Sequence, residues 1–314
     1  ELKTPRLGTS ERAVERLRSL VPTVCVLGNN HIYDHLELGF SRTKSAVELI
    51  GAATVGAGLD SEEAARPYRF EVKGVPISVL SYVGGETNPM LPEDASVRIN
   101  MVEEERIVED VHREKSLARY VIVSIHWGLE FFMYPAPWQR RLARRIAKAG
   151  ASVVWGHHAH VCQGWERFGS TAVFYSMGNS VFDNVEDKVI WNEGGRRSLL
   201  ACITMPYLDQ AMSIVDVRCL QRPSCSETAE LARVCWRDRM LCWPLKLGLR
   251  CYQAFYQAEV LRMFVRRGWE FVFGEGRNPL VQVLRLPSRL LGAFGSGRAV
   301  SKPDPESHQE DPGS

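Results

Sequence analysis

Short apolar runs and amphipathic stretches alternate along most of the chain, and the two periods assign most elements. Residues 11–20 predict a short amphipathic helix. Val21 to Leu27 reads as a buried strand, with Pro22 at its start, where a missing N–H is tolerated. Leu36 to Ile50 predicts a helix, Ala53 to Val55 a brief strand, Gly56 to Gly58 a loop, and residues 59–66 a short turn. Phe70 to Val72 and Ile77 to Tyr82 alternate around Lys73-Gly74 as a β-hairpin does. Residues 84–100, with Gly-Gly and two prolines, predict a loop overhanging a site. A charged helix follows over Val102 to Leu117, then a strand over Tyr120 to Ile125. Pro137 to Ala149 predicts an arginine-rich helix, with Pro137 in its first turn and Gly150 just past its end.

Ala151 to Trp155 predicts a strand ending at Gly156. Val161 to Trp165 and Thr171 to Tyr175 look like strands, and Leu199 to Met205 with Met212 to Leu220 like an antiparallel pair. Strands alternate with helices early and hairpins come later. The fold class is therefore mixed α/β, with more than one sheet.

Residues 226–294 differ in character. Trp236, Trp243, Phe255, Tyr256, Phe264, Trp269, Phe271 and Phe273 stand among many arginines. Two or three amphipathic helices are expected, Glu227 to Cys242 and Leu245 to Arg267, broken at Pro244. They either pack on the preceding domain or form a basic, aromatic surface for a membrane or a protein partner. Residues 295–314, rich in Gly, Ser, Pro and acid, are expected to be disordered. The division expected is a domain over 1–222, a helical extension over 223–294 and a tail.

The chemistry lies at the strand ends. Val154-Trp155-Gly156-His157-His158-Ala159-His160 places three histidines within four positions after an apolar run. Gly156, lacking Cβ, would let the chain turn sharply there. Neutral imidazole is a common ligand for Zn, Fe, Mn or Ni, although on this stretch alone histidines capping a strand end are an equal reading. Asn30 and His31 follow the first strand and His126 follows another, each with a glycine nearby. In open α/β sheets ligands bind at that edge, so the repetition favours a metal site.

Composition narrows the classes. The 314 residues are 45% hydrophobic and 24% charged, as in a globular protein of one large domain plus an appendage. A net charge of +2 gives no field that argues for nucleic acid. Eight cysteines without CxxC spacing suit a reducing compartment better than a disulfide framework. The chain opens on Glu-Leu-Lys without Met, so an upstream targeting segment stays open, and the expected location is cytoplasmic or membrane-associated. The Arg140, Arg141, Arg144 and Arg145 cluster reads as a solvated helix face.

Four segments together resemble a known family. They are Gly28-Asn29-Asn30-His31-x-x-Asp34, His126-Trp127-Gly128, Gly156-His157-His158-Ala159-His160, and Tyr175-Ser176-Met177-Gly178-Asn179-x-x-Phe182-Asp183. Their order and spacing look like the CapA, or poly-γ-glutamate capsule synthesis, family, which is similar to the calcineurin-like metallophosphoesterases. The resemblance covers roughly residues 1–205. It implies a four-layer α/β/β/α sandwich of two mixed sheets, metallophosphatase-like, with a cleft for two divalent cations (Mn, Fe or Zn) at the strand ends.

Carried over residue by residue, the resemblance makes Asn30, His126 and His158 ligands of one metal and His160 a ligand of the other. His31 resembles the histidine that gives a proton to the leaving group. Asp34 is then either its orienting carboxylate or a helix cap. Asn29, His157, Asn179 and Asp183 are candidates to touch substrate; His157 is an extra histidine that otherwise faces solvent or backs the ligands. The family's Gly-Asp metal motif is not found. Glu1, in Glu1-Leu2-Lys3-Thr4-Pro5, resembles the second acidic motif and is the candidate carboxylate ligand. Either an upstream segment supplies the Asp or the molecule is a degenerate non-enzyme. The function implied is a metal-dependent hydrolase of capsule or polyglutamate synthesis acting on an anionic polymer or a phosphoester. The rival is a non-catalytic accessory subunit of a polymer synthesis or export complex.

Overall fold

A computed structural model describes residues 6–180, 197–206, 213–221, 230–233 and 240–273. Helix α1 (Glu11–Glu15), capped by the Ser10 hydroxyl, tightens into a 3-10 turn over Arg16–Leu20. Strand β1 (Val24–Val26) lies parallel to β2 (Ala53–Val55), with α2 (Leu36–Leu49) between them in sequence. Residues 56–58, expected to be a loop, contain β3 (Ala57–Gly58), and α3 (Ser61–Ala65) follows. The hairpin is longer than its alternation indicates: β4 (Tyr68–Val72) and β5 (Val75–Val83). Inside the expected 84–100 loop, β6 (Arg98–Ile99) pairs with β3. Both are two residues long, too short to leave a periodic signal.

The central sheet is built from β4, β5, β7 (Tyr120–His126), β8 (Val153–His157), β10 (Thr171–Phe174) and β9 (Trp165–Phe168), in that spatial order. Helices α4 (Glu104–Leu117) and α5 (Pro137–Ala149) are the crossovers that make β5, β7 and β8 parallel. Alternation along the strands divides the sheet's two faces. Val121, Val123, Ile125, Val154 and Val173 pack with Leu142 and Ile146 of α5 and Ile107 and Val111 of α4. Tyr120, Ile122, Val153, Trp155, Ala172 and Phe174 face the other way, against Ala201, Ile203 and Val217. Those last residues belong to a second sheet, β11 (Arg197–Thr204), β12 (Ser213–Gln221) and β13 (Glu230–Arg233). The fold is mixed α/β, and two sheets share one of its cores.

Two expectations are corrected. The strand expected over Val161 to Trp165 starts at Trp165. Cys162 bridges Met177, and at Gly164 a Cβ would lie 2.4 Å from the Leu241 carbonyl, so this stretch crosses under another segment. The helix expected over Glu227 to Cys242 is not formed at Glu230–Arg233, which adds to the open edge of β12. Pairing with an existing edge overrides the local pattern there.

The helix after Pro244 is present: a 3-10 turn, Pro244–Lys246, then α6 (Leu249–Phe273). Leu245 and Tyr252 are buried in the main core, with Phe255 and Tyr256 against it. The chain divides at Tyr256 into two compact units. No described helix is long and apolar enough to cross a membrane. None of the described cysteines forms a disulfide.

Candidate metal centre

Three strand ends meet at one place. After β1 the chain makes a tight turn in which the Asn29 side-chain oxygen accepts the His31 N–H at 2.8 Å, while its amide donates to Leu27 O at 3.1 Å. That Asx turn aims Asn30 inward. Asn30 is buried, and its amide donates to Thr87 O at 2.9 Å, so the 84–100 segment does overhang the site. The same bond leaves Asn30 Oδ1 facing His126 Nε2 at 3.0 Å.

His126 ends β7 and is buried. Its neighbour across the parallel pair is His157, the last residue of β8. Ser124, His126 and His157 lie on the sheet face that carries Tyr120 and Ile122, because alternation continues to the strand ends. His126 Nδ1 and His157 Nδ1 are 2.7 Å apart, and His157 Nε2 is 3.1 Å from Ser124 Oγ. Both imidazoles are held neutral. Burial, then the neighbouring histidines, pushes His126 well below its ordinary value, and burial lowers His157 to about 4.

The turn lies after Gly156, not at it. His158 has φ 101° and His160 φ 57°, left-handed conformations that cost of order 1–3 kcal/mol each and persist where the surroundings hold them. Those surroundings are the 127–131 segment. The Trp127 N–H donates to His157 O at 3.1 Å and the Phe131 N–H to Ala159 O at 2.7 Å, and the Phe131 ring stacks on His160. Gly156 serves a different purpose: a Cβ there would lie 2.0 Å from Tyr175 O and 2.4 Å from Trp127 Nε1. These two atoms form a 3.0 Å hydrogen bond directly over it.

The rings of His126 and His158 are 4.6 Å apart, and those of His158 and His160 6.1 Å. His160 Nδ1 meets Asn179 Oδ1 at 2.9 Å. An amide oxygen can only accept, so Nδ1 carries the proton and Nε2 keeps its lone pair. Glu130 stands 4.0 Å from His158 Nε2. Ligand atoms of Glu130, His158 and His160 all lie within 4.8 Å of one another. Bonds of about 2.1 Å put the ligands of one cation roughly 3 to 4.2 Å apart. The Asn30–His126 and Glu130–His158 pairs already have that spacing. Imidazole nitrogen, amide oxygen and carboxylate are what Zn, Mn or Fe take, so the residues fit a divalent cation.

His31 lies at the rim, with Nδ1 2.6 Å from Asp34 Oδ2. Asp34 also accepts the Leu7 N–H at 2.7 Å. It does not cap α2, since the residue before that helix is His35, with no side-chain cap. Asn29 and Asn179, candidates for substrate, are engaged in shaping the turn and holding His160. His157, the third, has both ring nitrogens turned to Ser124 and His126. Glu1 and Asp183 lie outside the described residues. Glu130 was not singled out from the sequence; its signal was its place four residues past His126 on the same post-strand loop.

The Arg cluster is not a solvated face throughout. Arg140 is fully buried, with Nε and Nη2 each 2.9 Å from Glu166. Arg144 lies over the Phe168 ring, and Arg145 pairs with Glu104 and Glu105. The helix turns these cations toward partners that local sequence does not reveal.

Fold and site together define a mixed α/β protein with an imidazole–amide cluster at its strand ends. The chain belongs to the bacterial capsule synthesis protein family PGA_cap, whose model matches residues 1–184. It is 33% identical over 191 residues to the PGA biosynthesis protein CapA of Bacillus subtilis, covering 58% of this chain and 48% of that one. It is 30% identical over 221 residues to the capsule biosynthesis protein CapA of Bacillus anthracis, covering 68% and 51%. The chain thus spans about half the length of the curated relatives it matches. A solved structure of a putative 5'-nucleotidase from Staphylococcus aureus aligns with a TM-score of 0.48 at 13% identity, over 76% of this chain and 44% of that one.

Proposed function

We propose that this chain is a metal-dependent hydrolase of capsule or poly-γ-glutamate synthesis, acting on a phosphoester or on the anionic polymer. The observation that carries the reading is the meeting of Asn30, His126, His158, His160 and Glu130, from three loops far apart in sequence, with ligand atoms facing one another. Two divalent cations held there would lower the pKa of water and polarise the scissile phosphoryl or carbonyl group.

The chain's own groups have separable tasks. Asn30 and His126 would hold one cation; Glu130, His158 and His160 would hold the other. Glu130 supplies negative charge that a purely His and Asn set lacks. Asn179 keeps His160 in the tautomer protonated at Nδ1. Asp34 accepts the His31 Nδ1–H and so favours the imidazolium form, whose Nε2–H would give a proton to a departing oxygen, a step worth roughly 100- to 10,000-fold.

The test is elemental analysis of the full-length protein together with turnover of a generic phosphodiester. About two Mn, Fe or Zn per chain are expected. His126→Ala and His160→Ala are each expected to lower kcat/KM at least about 100-fold, and Glu130→Gln to weaken metal retention. Retained turnover in both alanine variants would remove these residues from the reaction.

A second reading rests on Glu130, whose side chain is 45% exposed and thus loosely held for a ligand. On that reading the cleft is a binding surface of an accessory subunit. Purification without metal, with polymer binding intact, selects it.

A further inference from the structure

We infer that His157 is a positioning residue that makes His126 a metal ligand by setting which of its ring nitrogens carries the proton. The inference rests on the metal reading of the site.

A contact between two Nδ1 atoms at 2.7 Å holds one proton between them. Two arrangements of the chain Ser124–His157–His126–Asn30 are open, and only the first satisfies every contact. In the first, the Ser124 hydroxyl donates to His157 Nε2, His157 Nδ1–H donates to His126 Nδ1, and His126 Nε2–H donates to Asn30 Oδ1. In the second the two bonds made by His157 are reversed, and His126 Nε2 no longer has a proton for Asn30 Oδ1. His126 Nδ1–H donates to His157 Nδ1, and His157 Nε2–H donates to Ser124 Oγ. The lone pair of His126 Nε2 then stands beside Asn30 Oδ1, whose direction is set by the bond from its amide to Thr87.

Only the second arrangement offers a ligand. The two contain the same protons and leave both rings neutral, so a cation selects the second without charging either histidine. Serine is suited to the far end because a hydroxyl donates or accepts by rotating. A carboxylate in its place could only accept and would hold the chain in the second arrangement permanently. Ser124 is fully buried, which keeps water from taking over its part. The relay follows from the sheet itself. Positions 124, 126 and 157 share a face, and the parallel register sets His126 against His157.

The experiment uses the full chain, 15N-labelled, and Zn2+ as the probe. Long-range 1H–15N correlation of the imidazole rings reads the tautomer directly. Metal-free protein is expected to show His126 as Nε2–H; added Zn2+ should convert it to Nδ1–H, with His157 changing in the same step to Nε2–H. Zn2+ affinity by competition with a chromophoric chelator is the second readout. His157→Leu should weaken it roughly 10- to 100-fold. His157→Asn, whose amide oxygen stands where Nδ1 stood, should retain affinity within about threefold of wild type, and Ser124→Ala should fall between. If His157→Leu does not fold, the Asn and Ser124→Ala variants still carry the comparison. Equal affinity in wild type, Ser124→Ala and a folded His157→Leu, or a His126 tautomer unchanged by bound Zn2+, overturns the relay alone. Failure of the wild type to take up Zn2+ overturns the metal reading, and the relay with it.

Discussion

His126 and His157 show how burial sets protonation at the level of single residues. Both are kept neutral in the fold, His157 with a value lowered to about 4, whereas an unfolded chain protonates histidine near 6.5. Below 6.5 the unfolded chain therefore binds more protons, and stability falls as pH falls. The loss should run from about pH 6.5 down to about 4, where His157 begins to protonate in the fold as well. Thermal melts in chelator-treated buffer measure it, and His157→Asn should flatten the slope. A slope unchanged by that substitution would mean His157 titrates alike in both states. At this scale the sequence named the candidate imidazole and amide groups by type and missed Glu130, because nothing local distinguishes one loop carboxylate from another.

The element that governs the site is the β7–β8 pair. Alternation was legible in both strands, and continuing it to their last residues places His126 and His157 on one face. What it did not reveal was the register that sets them opposite one another. The role of Gly156 was also hidden. It was expected to allow a turn, yet the turn belongs to His158 and His160, and the glycine makes room for the Trp127–Tyr175 hydrogen bond. Gly156→Ala should accordingly destabilise the protein by roughly 3 kcal/mol in urea unfolding, since backbone rather than a flexible side chain meets the new methyl. Gly248→Ala is the control: nothing lies within 4 Å of its Cβ position, and its effect should stay within about 0.5 kcal/mol.

Across the whole molecule, Arg140 ties distant parts together. It pairs through two bonds with Glu166, donates to Leu245 O, and lies 4.3 Å from the centroid of the Tyr252 ring, while the Tyr175 hydroxyl donates to the same Glu166 at 2.6 Å. Removing the cation alone leaves a carboxylate without its partner. Arg140→Ala should cost about 3–5 kcal/mol in unfolding free energy, and the double variant Arg140→Met, Glu166→Gln should recover most of it. Additive losses in the pair would show that the two side chains do not depend on each other.

Local order was enough to determine the class of fold, the strands of the central sheet other than β9, the long helices, and the imidazole and amide groups at their ends. Those follow from periods of two and 3.6 and from residue chemistry, which act over a few positions. Tertiary structure decided what depends on segments far apart: the edge pairing that made Glu230–Arg233 a strand, the burial of Arg140, the arrival of Glu130 beside His158, and the contact between His126 and His157. In each case the deciding partner is dozens of residues away or on another strand, and no local pattern carries its identity.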